Sequence, residues 1–130
     1  MRILIAEDDF ASRKFMLSFL SKYGECDITV DGMEAVDAYL MAMDMDMPYD
    51  LVCLDIMMPN MDGYQALKAI RDIEKQRNVP ADKSVKIIMT TALNEEKNVK
   101  KAFEMGCTVY CGKPVDLDKF EMALKKLELI

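Results

Sequence analysis

Four short segments carry residue types that could do chemistry, each directly after an apolar run: Glu7-Asp8-Asp9, Asp55, Thr91-Ala92 and Lys113-Pro114. Singly, each has an ordinary explanation. Asp8-Asp9 would cap a helix, Asp55 would open a turn, Thr91 is a good β-former, and Lys113 would be a solvated lysine. Together they make a reactive set. Asp8, Asp9 and Asp55 brought close would repel and raise one another's pKa values unless a cation sat among them. Hard carboxylate oxygens without nitrogen or sulfur ligands suit Mg²⁺ or Mn²⁺. Such an ion can bridge a carboxylate and a phosphoryl oxygen and neutralise charge during transfer. Lys113 supplies a point charge for a carboxylate or phosphate oxygen, and Thr91 a neutral donor. The chemistry available to this set is acceptance of a phosphoryl group by a carboxylate nucleophile.

Such residues need elements that bring them together. Apolar, strand-like runs fall at 3–6, 27–30, 51–54, 86–90 and 109–112. Helical periodicity follows each one. The first helix is expected over 10–23, with Phe15, Leu17, Phe19 and Leu20 inward and Gly24 as its C′ stop. The second opens at Asp31, with Glu34 three residues on, and runs to about Met45. The third carries Tyr64, Leu67, Ile70 and Ile73 at helical spacing. The fourth follows Asn94, with Glu95 and Glu96 in its first turn, and ends at Gly106. The fifth starts at Asp116 and aligns Leu117, Phe120, Leu124 and Leu127. Strict strand–helix alternation implies an α/β fold: a doubly wound, five-stranded parallel sheet with helices on both faces. In such sheets functional groups gather beyond the carboxyl ends of the strands. That edge is where the acids, the hydroxyl and the lysine fall.

The composition narrows the rest. The 130 residues are about one domain's worth of chain, with 52% apolar and 31% charged residues. We expect one domain over 1–130 with no output domain. Seventeen bases against 23 acids give a net charge of −6, which argues against a nucleic-acid grip. There is no histidine, so imidazole metal sites and phosphohistidine chemistry within the chain are excluded. Cys26, Cys53, Cys107 and Cys111 form no C-x-x-C pair and are expected as free, core-filling thiols in a reducing compartment. The N-terminus meets acid after four apolar residues, unlike a signal peptide, and no run suits a membrane helix. A soluble, cytoplasmic protein is expected. Met41, Met43, Met45 and Met47 alternate, and on a helix residues two apart share no face, so the run makes no copper cage. They are expected as gap-fillers at a helix end.

The motifs resemble those of the response-regulator receiver domains of two-component systems, over essentially the whole chain. The matching segments are Glu7-Asp8-Asp9, the run from Asp55 through Pro59 to Asp62-Gly63, Thr90-Thr91-Ala92, Tyr110 and Lys113-Pro114. The resemblance implies a flavodoxin-like sheet of order 2-1-3-4-5, an order for which a receiver protein is a standard example. It implies Asp55 as phosphoacceptor and Mg²⁺ held by Asp8, Asp9, Asp55 and the backbone carbonyl of Met57. Thr91 would be the switch hydroxyl, Tyr110 the aromatic that moves with it, and Lys113 the phosphate's cationic partner. It further implies a stand-alone, chemotaxis-regulator-like switch instead of an enzyme. That switch takes phosphate from a sensor histidine kinase and signals to a target through helix four, strand five and helix five. Val109 stands where glycine is common and Val115 where phenylalanine is common, which alters packing near the switch.

Alternatives fail on particular residues. Asn60-Met61-Asp62-Gly63 suggests a calcium loop, but its first ligand would be Met58 and its twelfth Ala69. A flavodoxin-like electron carrier would have its phosphate repelled by Glu7-Asp8-Asp9. A dehalogenase-type phosphatase needs an acid two residues after its nucleophile, where this chain has Met57. A phosphorelay intermediate serving a histidine phosphotransfer protein stays open. Met57 and Leu93 occupy the positions that hold the hydrolytic water in fast receivers, by the same resemblance. Both are apolar, so a long-lived phosphorylated state is expected.

Overall fold

The computed structural model describes residues 1–92 and 96–130, Glu96 by its backbone alone. The expectations for Leu93, Asn94 and Glu95 lie outside the described residues. Five strands and five helices alternate: β1 (Arg2–Ala6), α1 (Phe10–Leu20), β2 (Glu25–Thr29), α2 (Gly32–Asp44), β3 (Leu51–Asp55), α3 (Gly63–Gln76), β4 (Lys86–Thr91), α4 (Glu96–Glu104), β5 (Val109–Gly112) and α5 (Leu117–Lys126). All pairings are parallel, in the order β2-β1-β3-β4-β5. The doubly wound fold expected from the alternation is the fold observed.

Strand residues alternate between two cores because successive side chains point to opposite faces. Leu4, Ala6, Val52, Leu54, Ile87 and Met89 face α2, α3 and α4. Ile3, Ile5, Leu51, Cys53 and Ile88 face α1 and α5, where Phe19 meets Phe120 edge-on at 5.7 Å. With both faces covered, β3 is buried along its whole length, so it reads as a continuous apolar run ending in one acid.

Several helix details differ from expectation. Helix α1 ends at Leu20 with Ser21 as C-cap, short of the expected Tyr23. Gly24 does not have a positive φ; it leaves room for the carbonyl of Met1, to which Glu25 donates its N–H. The buried face of α1 is Met16, Phe19 and Leu20, while Phe15 is largely exposed. Leu117 likewise sits at the exposed start of α5, leaving Phe120 and Leu124 to anchor it. Only Met43 of the alternating methionines packs against a core; Met41, Met45 and Met47 are exposed, so they fill no gaps. Residues 78–84 include a short 3-10 turn, Ala81–Lys83. Gly106, at φ +103, closes α4 as expected: Cys107 N–H reaches the Ala102 carbonyl and Gly106 N–H that of Phe103. Asp46, Asn78 and Glu128 do the same for α2, α3 and α5 at φ 57, 55 and 60. All four cysteines are free, Cys53 and Cys107 buried and the other two half-buried. Among the described residues no helix is long and apolar enough to cross a membrane.

Candidate functional site

The sheet reverses direction of winding at β1, with β2 on one side and β3 on the other. Ligand crevices form outside the carboxyl ends of the strands at such a point. The residues that follow β1 and those at the end of β3 therefore meet there. Glu7, Asp8 and Asp55 each offer a carboxylate oxygen, and the three lie within 4.8 Å of one another. Glu7 and Asp55 are buried and Asp8 is exposed. Lys113, just past β5, ion-pairs with both buried acids: its Nζ bonds Glu7 Oε1 and lies 3.3 Å from Asp55 Oδ1. Its backbone is tied to β4 by a 2.8 Å bond from the Lys113 N–H to the Thr91 carbonyl.

The backbone around Asp55 is equally constrained. Ile56 N–H donates to the Thr90 carbonyl and Gly63 N–H to the Ile56 carbonyl. A Cβ on Gly63 would overlap the carbonyl of Asp55, so only glycine lets α3 begin this close to the acid. Asp62 then caps α3 through a reciprocal box with Gln65. Asn60, at φ 66, donates its side-chain amide to Asp31, the N-cap of α2.

Among the described residues the three clustered carboxylates pair with one ammonium, that of Lys113, while the nearby Arg13 guanidinium is bonded to the carbonyls of Glu7 and Asp8 at 3.1 and 3.4 Å. Burial first, and then the neighbouring Glu7, push Asp55 up to about 7, against the downward pull of Lys113. Burial alone would lower Lys113; its bond to Glu7 and the charges of Asp55 and Glu7 hold it above its ordinary value. This is an arrangement that a divalent cation would relieve. The donor set is all hard oxygen, and one member is exposed for entry, so the residues present fit such an ion.

The site residues expected from sequence fall into three groups. Asp8, Asp55 and Lys113 come together. Asp9 does not join them: its carboxylate caps α1, accepting the Ser12 N–H at 2.9 Å, and that bond holds its pKa low. Glu7 takes the third place in the cluster, a role the sequence reading did not assign. The signal was available, because Glu7 directly follows the last residue of β1 and pairs its backbone with Thr29. Thr91 ends β4 fully buried and Tyr110 lies half-buried in β5 against the α3–α4 side. The side chain of Met57 is exposed. Beside Lys113 a cavity of about 280 Å³ opens between α1 and the β5–α5 turn, lined by Ser12, Phe15, Thr90 and Val115 among others. A residue larger than Val115 would fill part of it.

Fold and site thus define a doubly wound domain with an acid-rich, lysine-bridged crevice at its switch point. The comparisons with known proteins agree. A family model described as response regulator receiver domain matches residues 3–125, and the chain belongs to that family. It is 36% identical over 120 residues to the chemotaxis protein CheY of Treponema pallidum, covering 91% of this chain and 76% of that one. It spans only 12% of a rice probable histidine kinase 2 that it also matches. Among solved structures it is similar to a chain of the CheX–CheY–BeF3–Mg²⁺ complex from Borrelia burgdorferi, with 28% identity, 98% and 89% coverage, and a TM-score of 0.85. A second likeness, with 28% identity, 100% and 92% coverage and a TM-score of 0.82, is to the structure of the Saccharomyces cerevisiae phosphotransfer protein Ypd1 with the receiver domain of Ssk1. Receiver domains are signalling switches. Family membership sets aside the electron-carrier alternative.

Proposed function

We propose that the chain is a stand-alone receiver that accepts a phosphoryl group on Asp55 from a partner kinase's phosphohistidine. A phosphorus–nitrogen bond breaks on the donor as a phosphorus–oxygen bond forms to Asp55, and the donor imidazole leaves. The observation that carries this reading is Lys113 spanning Glu7 and Asp55 inside a cluster of three carboxylates. Asp8 and Asp55 would hold Mg²⁺ (or Mn²⁺), with Asp9 and the Met57 carbonyl as the other ligands the resemblance implies. The bound ion would neutralise charge on the transferring group. Lys113 would then exchange its carboxylate partners for a phosphoryl oxygen, with the Thr91 hydroxyl donating to another. Tyr110, on the strand between Thr91 and α5, would carry the change to a target on the α4–β5–α5 surface. Relay to a histidine phosphotransfer protein is supported by the likeness to the Ypd1-bound receiver.

The test is beryllofluoride, a phosphoryl mimic, with Mg²⁺. Wild type should bind it with chemical-shift changes across residues 91–113, and Asp55→Asn should not bind it. Thr91→Ala should bind it with much smaller changes around Tyr110. Undiminished binding by Asp55→Asn would overturn the nucleophile assignment. Equal responses of wild type and Thr91→Ala would remove Thr91 from the switch.

A further inference from the structure

The charge of this chain is concentrated in one segment. Residues 31–50 hold six acids and no base, and the remaining 17 acids equal the 17 bases of the whole chain. The net charge of −6 therefore arises entirely between Asp31 and Asp50. Some of these acids serve the fold. Asp31 caps α2, Asp50 accepts the Arg2 N–H at 2.8 Å, and Asp44 pairs with Arg77 at 2.8 Å. Glu34, whose Oε1 also accepts the Val30 N–H at 3.1 Å, Asp37 and Asp46, just past the end of α2, stand exposed.

The outer side of α2 carries the exposed methionines. Helix α2 buries Ala35, Tyr39 and Ala42, while Met33 and Met41 stay 53% and 62% exposed. Residues 33, 37, 41 and 45 are four apart and form one ridge. The left-handed Asp46 then reverses the chain: its N–H reaches the Met43 carbonyl, and that of Met47 the Ala42 carbonyl. This turn folds the backbone at Met47 back against the last turn of α2. Met41 and Met45 share the ridge by helical spacing, and Met47 follows at the turn that ends the helix. Met45 and Met47 are 62% and 48% exposed.

A ridge of exposed, flexible thioethers, crossed by Asp37 and flanked in sequence by Glu34 and Asp46, needs an apolar partner surface that also carries bases. We infer that the outer face of α2 docks a basic amphipathic helix of a partner protein, its apolar stripe on Met33, Met41, Met45 and Met47 and its lysines or arginines toward Glu34, Asp37 and Asp46. Anionic bilayers and nucleic acids are repelled by the same acids. A second copy placed ridge to ridge would set acid against acid. The face lies on a different helix from the α4–β5–α5 surface, so its occupancy is independent of the phosphoryl-acceptor reading.

The experiment uses the full chain with ¹³C-labelled methionine methyls and two synthetic 18-residue peptides of identical composition. One places leucines on a single helical stripe between lysines; the other scrambles them. The striped peptide should shift the methyls of Met33, Met41, Met45 and Met47 and leave those of Met57 and Met122 in place. Its affinity should fall at least tenfold in the scrambled peptide, in the M41Q/M45Q variant, and on raising salt from about 0.05 M to 0.5 M. Equal binding of both peptides, shifts confined to other methyls, no binding, or affinity unchanged in M41Q/M45Q would each overturn the inference. So would self-association of the free protein, seen by light scattering and abolished by M41Q/M45Q.

Discussion

Two buried acid–base clusters sit at opposite edges of the same sheet, and they are built to different rules. At the amino edge of β4, Glu74 is 5% exposed and fully engaged. Its Oε1 accepts from Arg71 at 2.6 Å and Ser84 at 2.9 Å, and its Oε2 accepts from the Val85 N–H at 2.7 Å. Arg71 in turn donates to the Gly106 carbonyl at 3.0 Å, so one acid and one base tie α3 to the starts of β4 and β5. At the carboxyl edge, Glu7, Asp8 and Asp55 share Lys113. The first cluster is closed, with every charge answered. The second has more acid than base, and its unanswered charge is what a cation and a phosphoryl group would use. Saturation marks a structural pair and imbalance marks a site.

The largest expected effect breaks the closed cluster. Glu74→Ala leaves the Val85 N–H without its acceptor and the half-buried Arg71 with only neutral ones, and should destabilise the fold by about 3 kcal/mol in denaturant titration. Mg²⁺ affinity should change less than about twofold. A large loss of affinity would show the two clusters to be coupled.

The open cluster should respond in the opposite sense. Because Asp55 titrates near 7 in the folded, metal-free chain and near the ordinary 3.8 when unfolded, the folded state retains a proton between those values. Stability should therefore fall as pH rises from about 4 to 7, by roughly 2–4 kcal/mol. Asp55→Asn should flatten that slope and be more stable than wild type at pH 8 without metal. Urea denaturation at pH 5 and pH 8 checks both statements. A flat wild-type profile would contradict the imbalance.

Asp8→Asn tests which acid matters to the cation. Mg²⁺ affinity, read by calorimetry, should drop about 10–100-fold, equivalent to about 1.4–2.7 kcal/mol. Asp9→Ala should cost helix α1 its cap and lower its denaturation midpoint as well as any affinity, whereas Asp9→Asn keeps an oxygen for the Ser12 N–H and should spare the cap. Asp8→Asn without effect on Mg²⁺ would move the metal role to Asp9.

The smallest effect concerns lifetime. Met57→Asn with Leu93→Glu introduces polar groups able to hold a hydrolytic water, and decay of the phosphorylated chain should quicken by about tenfold, followed by phosphate-affinity electrophoresis. Wild-type decay within a few seconds would remove the premise.

Much of this was legible from local pattern. Strand positions, their order of appearance and the helix starts at Asp31 and Asp116 follow from short-range chemistry, and the structure has both capping α2 and α5. Errors arose where a local rule admits two outcomes. Phe15 reads as inward because it is large and apolar, yet Met16 holds the buried position. Three helix ends use Asp46, Asn78 and Glu128 in the left-handed region where glycine is the usual signal. The alternating methionines illustrate the consequence: Met41 and Met45 keep helical spacing, but the place of Met47 depends on where α2 stops, and that stop is set by Asp46.

What the sequence by itself determined is therefore the set of chemical groups and the edge they reach. Asp55 ends a fully apolar strand, acids follow β1 and a lysine follows β5, and parallel pairing delivers all of them to one side. What only the tertiary structure decided is which acid does what. Asp9 and Glu7 are two residues apart and chemically alike, but α1 starts at Phe10 and takes the Asp9 carboxylate for its first turn. That leaves Glu7, buried beside Asp55, as the acid that meets Lys113 from 106 residues away. Carboxylates are interchangeable in sequence; the helix end that claims one, and the buried lysine that claims another, exist only once the chain has folded.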